Sequence, residues 1–111
     1  MQPTYPEAYA FDSPLPLEAM LAALNAGPWS WTLRDSDTFG AYLVARPDSG
    51  PTRLRILRRI FRGDGPAFLL DAFYSSDSPE NRLSRGEVEQ VIQRQVFPAI
   101  QADDVHPVGG L

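Results

Sequence analysis

Residues 53–62 read Arg53-Leu-Arg-Ile-Leu-Arg-Arg-Ile-Phe-Arg62, and the choice between strand and helix for this stretch decides the fold. Coiled as a helix, Leu54, Ile56, Leu57, Ile60 and Phe61 fall within about half the circumference, with four of the five arginines opposite. Extended, Arg53 and Arg55 alternate with Leu54 and Ile56, the two-residue period of a half-buried strand. The alternation slips at Leu57-Arg58, and a bulge is one way to absorb the slip. The residues immediately downstream favour the strand. Gly63-Asp-Gly-Pro66 has the chemistry of a hairpin connection, and residues 67–75 form a strong β pattern. The stretch is therefore read as a strand, with the helix kept as the open alternative.

Working outward, Trp29, Trp31 and Leu33 alternate with Ser30, Thr32 and Arg34, which predicts a strand with those three residues buried. Asp35-Ser-Asp-Thr38 reads as a turn, 39–46 as the next strand, and Pro47-Asp-Ser-Gly-Pro51 as another turn. Upstream, Leu17, Met20, Leu21 and Leu24 make one apolar stripe, predicting a helix over 16–26. Gly27 is its expected C′ residue, and Pro28 blocks continuation. A second helix is expected from Ser84, where Ser84-Arg-Gly-Glu87 matches a capping box. Its stripe is Val88, Val91, Ile92, Val96 and Ala99, and Pro98 should end or kink it. Tyr9–Asp12 and residues 104–108 are candidate short strands. Residues 1–8 read as an irregular arm and 102–111 as a polar C-terminal tail.

The expected architecture is one α+β domain over 1–111. About four antiparallel strands form a meander, with two helices packed on one face, in the order (β)αββββα(β). A chain of 111 residues has room for one such core.

The chain has ten arginines and no lysine, and half of its arginines lie in 53–62. Its net charge is nevertheless −4, which disfavours nonspecific binding to nucleic acid. With no cysteine, disulfides, thiolate catalysis, iron–sulfur clusters and Cys-type zinc sites are excluded. The N-terminus lacks the basic and apolar regions of a secretion signal, and no apolar run is long enough to cross a bilayer. A cytoplasmic protein without membrane association is the expectation.

No catalytic constellation is visible, and no cofactor is implied. The single histidine, His106, sits in the tail outside any motif. Asp35-Ser-Asp-Thr-Phe-Gly40 opens like a calcium loop, but Arg46 stands where the closing glutamate belongs. Arg62-Gly-Asp-Gly-Pro66 lacks the lysine and the following helix of a phosphate loop. It also fits poorly to the signature of a sheet that stacks RNA bases. Asp71 interrupts the apolar run 68–74 and is read as lying on the solvent face among Arg53, Arg55 and their neighbours; were that face covered, an arginine on the neighbouring strand could pair with it.

Two surfaces remain. In 67–74 both alternating sets are largely apolar, with Phe68, Leu70, Ala72 and Tyr74 on one side and Leu69 and Phe73 on the other. A sheet with helices on one face should alternate cleanly, so the second face asks for a cover. The expected function is a non-catalytic interaction or regulatory domain. Its outer sheet face would use Arg53, Arg55, Arg58 and Arg59 with Tyr42, Leu69 and Phe73. The partner would be a second copy or another protein, an immunity-type inhibitor being one special case. The alternative is a module for a small ligand, held in a cavity between sheet and helices and lined by Trp29 and Trp31.

Overall fold

The arginine-rich stretch is extended. The computed structural model describes residues 8–27, 29–38, 40–46, 53–59, 66–73 and 85–108, with the backbone alone at Arg46, Phe73 and Arg85. Along the chain these form β1 (Ala8–Asp12), α1 (Leu17–Leu24), β2 (Ser30–Ser36), β3 (Gly40–Arg46), β4 (Arg53–Arg58) and β5 (Phe68–Phe73). Then come α2 (Arg85–Val91), a π-helical segment (Ile92–Val96), α3 (Phe97–Ala99) and β6 (Asp103–Val108). The strands make one antiparallel sheet in the order β2-β3-β4-β5-β1-β6.

The expected four-stranded meander is present as β2 to β5. Two further strands extend it to six. β1 lies between β5 and β6 instead of at the periphery, because Tyr9 and Phe11 carry too much apolar surface to leave at an edge. Phe11 is fully buried. The tail read as polar supplies the edge strand β6, whose residues are all exposed. Asp103, Asp104 and Pro107 discourage that edge from pairing with another strand.

β4 shows how the phase slip is handled. Its register with β5 runs unbroken from Arg53↔Phe73 to Arg58↔Phe68, so no bulge intervenes. Leu54 and Ile56 face the helices and are fully buried. Leu57 takes the opposite face with Arg53 and Arg55, and Arg58 falls into the helix-side phase at the strand's exposed end. The helical alternative for this stretch is thereby ruled out over 53–58.

Both helices cover one face. In α1, Leu17, Met20 and Leu24 are buried, and the helix lies over β2 and β3 and touches α3. It stops at Leu24, and Asn25 caps it in a right-handed conformation. Gly27 is not the expected left-handed C′ residue. A Cβ there would stand 3.3 Å from the Leu24 carbonyl, so close approach accounts for the glycine. Among the described residues left-handed backbone occurs at Gly40, with φ of 74°, where β3 begins, and at Gln101 and Asp104, with φ of 55° and 51°.

The second helical stretch buries Val88, Ile92 and Val96 as its stripe predicts. The capping box falls partly at Ser84, outside the described residues. Pro98 lies one residue before the helical stretch ends at Ala99. It has no N–H for the carbonyl four residues back, and its ring would collide with that carbonyl. The chain widens to π-type bonding just before it, with the Phe97 N–H on the Ile92 carbonyl. Further side-chain bonds anchor β1 and the segment after it. The Ser13 hydroxyl donates to the Ile100 carbonyl at 2.6 Å, Asp12 accepts the Ala67 N–H at 2.8 Å, and the Tyr9 hydroxyl donates to Glu89. Among the described residues no helix is long and apolar enough to cross a membrane.

Candidate functional site

The face away from the helices is built from two rows of side chains that the registers align across all six strands. One row runs Arg34, Tyr42, Leu57, Leu69, Ala10 and His106 from β2 to β6. The row beside it runs Thr32, Val44, Arg55, Asp71, Ala8 and Val108. The centre of each row is buried or half-buried, whereas Thr32, Arg34, His106 and Val108 at the ends are exposed.

Arg55 and Asp71 face each other directly across β4 and β5. The Arg55 Nε donates to Asp71 Oδ1 at 3.1 Å and an Nη to Oδ2 at 2.7 Å, the parallel pair of bonds that the planar guanidinium fork offers a carboxylate. Their side chains are 25% and 17% exposed. That is dry enough for the pair to matter and wet enough that it is no core ion pair. The hydrogen bond to Asp71 raises the Arg55 guanidinium above its ordinary pKa, against the lowering effect of burial. The centre of this face is thus electrically balanced from within.

Of the surface residues predicted from sequence, the registers bring Arg53, Arg55, Tyr42 and Leu69 to the outer side. Phe73 pairs with Arg53 through its backbone, and its side chain lies outside what is described. Arg58 does not join them. Arg58 belongs to the other phase, and the Arg59 Nη1 donates to the Pro66 carbonyl at 3.1 Å, tying the base of the hairpin. Leu57 was not singled out from sequence, although it sits at the centre of the face. The signal was the phase slip itself, since an apolar residue in an arginine phase marks an outer face with an apolar centre.

Both tryptophans lie on the covered side, at 8% and 4% exposure for Trp29 and Trp31. They line an open pocket of about 290 Å³ between the C-terminal end of α1, the start of β2 and the π-helical segment. Leu33, expected to share their burial, is 42% exposed, because β2 runs out beyond the helical cover. Asn25 fixes the tryptophan end of β2. Its Nδ2 donates to the Trp31 carbonyl at 3.1 Å, and its Oδ1 accepts the Trp31 N–H at 2.7 Å. β2 is an edge strand, so these backbone groups have no strand partner on that side. Asn25→Ala is expected to cost about 1–2 kcal/mol, and Asn25→Asp a similar amount through loss of the donor. Thermal unfolding followed by tryptophan emission checks this.

Remaining candidates fall into structural roles. Asp35 is exposed within β2, and Ser36 Oγ accepts the Thr38 N–H at 3.1 Å in the hairpin turn. His106 Nε2 lies 2.7 Å from Asp104 Oδ1 on the exposed edge strand. No cluster of metal-binding side chains occurs among the described residues. No protein-family model, curated protein or solved structure matches this chain.

Proposed function

We propose that this protein is a non-catalytic interaction domain whose outer sheet face stacks on the same face of a second copy. The observation that carries the reading is the order of residues along the two rows. A second copy, turned about an axis parallel to the strands between β4 and β5, lays β2 of one copy over β6 of the other. Leu57 then meets Leu69, and Tyr42 and Val44 meet Ala10 and Ala8, large against small. Arg55 meets Asp71, and Arg34 meets His106 with its neighbouring Asp104. The same patch is complementary to itself in both bulk and charge, which a two-fold interface demands.

Size supports the reading as well. Six strands about 4.8 Å apart and about 20 Å long present roughly 600 Å² per copy, or about 1,200 Å² for the pair. That is the lower end of specific interfaces. One row sets the apolar Leu57 and Leu69 between the polar ends Arg34 and His106, and the row beside it centres on the internally paired Arg55 and Asp71. Sheets stacked this way keep their strand directions within about 30°.

Sedimentation across about 1 µM to about 1 mM is expected to show a monomer–dimer equilibrium. Leu69→Lys should leave a folded monomer with an unchanged far-ultraviolet spectrum, because Leu69 faces away from the core. Arg34→Glu should weaken association without lowering the melting temperature. A wild-type protein that stays monomeric through the whole series removes the proposal.

A further inference from the structure

The pocket beside the tryptophans has no part in the proposed dimer, since it opens on the helical side of the sheet. From its lining we infer that it is a binding site for a neutral, largely apolar small molecule that carries a carbonyl-type acceptor.

The walls come from Ala23 and Leu24 of α1, Trp29, Trp31, and Gln95 and Ala99 of the second helical stretch. No charged side chain is among its described lining residues, so an ion entering would lose hydration without a counter-charge. The alanines are what keep the space open, because a larger residue at Ala23 or Ala99 would fill it. At about 290 Å³ the volume lies at the small end of sites for organic ligands.

Two further features bear on what the pocket would hold. Trp29 and Trp31 are each more than nine-tenths buried, yet neither indole N–H has an acceptor among the described residues. Neither nitrogen is sealed from solvent, so an incoming acceptor can reach it. The second is the π-helical segment, which places Gln95 and Val96 along the pocket wall. One-turn π-segments inside α-helices occur often at functional sites. Gln95 is exposed and supplies a second neutral hydrogen-bonding group at the rim.

The chain has two tryptophans and both line this pocket, so intrinsic emission reports on it alone. The probes are camphor, a compact neutral ketone, its parent hydrocarbon bornane, and the camphorate dianion. Camphor should give a saturable change in tryptophan emission and shift at least one indole N–H resonance in ¹H–¹⁵N spectra. Ala23→Leu, which keeps a good helix former on α1, should retain the fold and weaken camphor binding at least about tenfold. Bornane should bind more weakly than camphor, and camphorate should not compete. The inference falls if camphor leaves wild-type emission and indole resonances unchanged, or if its effect survives Ala23→Leu. Equal binding of bornane would remove the acceptor from the assignment, and binding of camphorate would remove neutrality. None of these outcomes depends on whether the chain dimerises.

Discussion

Phe11→Ala is expected to destabilise the protein by about 3–5 kcal/mol, a large share of the roughly 5–15 kcal/mol that holds a domain of this size together. Phe11 is fully buried on β1. Its ring stacks on Phe68 of β5 at 5.6 Å between centroids and lies 5.7 Å from Phe97 of α3. Tyr9 meets the same Phe97 edge to face at 5.4 Å. One side chain therefore joins a strand brought in from the N-terminal end, the central hairpin and the second helical stretch. Removing it leaves a cavity that three separate elements would have to move to fill. The urea midpoint should fall steeply with the slope of the transition preserved. Leu33→Ala is the matched control. Leu33 is apolar and also on a strand, but it is 42% exposed, and its loss should stay within about 0.5 kcal/mol. A loss at Phe11 below about 1 kcal/mol would contradict its central position.

That prediction concerns a strand that periodicity alone placed only loosely. Tyr9–Asp12 is too short for alternation to say where it pairs, and its place between β5 and β6 is set by long-range burial. The helices are different. An eight-residue stripe such as Leu17, Met20 and Leu24 carries its own evidence, because spacing on a helix is local. Within β4 the sequence announced the buried face through Leu54 and Ile56. It also held the cue to the outer face in Leu57, which looked like a defect in the pattern. A bulge would have returned Leu57 to the helix side, whereas the unbroken register puts it outside. Leu33 failed for the opposite reason. Its alternation is correct, but burial depends on how far the helices reach, and that is a tertiary quantity. The two-point grip of Asn25 on Trp31 left no pattern at all, since an asparagine after a helix serves equally well as an ordinary cap. The pocket was legible only as far as its two tryptophans. The alanines that hollow it out look in sequence like helix formers.

Arg55→Ala is expected to cost about 2–3 kcal/mol and to do more damage than removing both partners of its pair. The loss has two sources. The charge-assisted bonds at 2.7 and 3.1 Å disappear, and the Asp71 carboxylate is left at 17% exposure between Ala8 and an empty position. Asp71→Ala should be milder, because the long Arg55 side chain can swing its head into water, which the short Asp71 cannot do. Replacing both by leucine removes the unpaired charge along with the bonds, and should return stability to within about 1 kcal/mol of wild type. The coupling measured by this cycle should be unchanged between about pH 6 and about pH 9. A guanidinium whose pKa is raised on folding contributes fully below its unfolded value, and that contribution is lost only as pH climbs through the folded one, above the ordinary arginine range. Stability and association then separate. The double leucine variant keeps the fold and enlarges the apolar centre of the outer face, so it should associate at least as tightly as wild type but with weaker selection of one orientation. Arg55→Ala leaves two unpaired aspartates facing that interface in every pair of copies, and should associate less. If the two variants lost association equally, the pair would have to act through contacts made between copies, and its balance within the chain would not be what leaves this face free to stack.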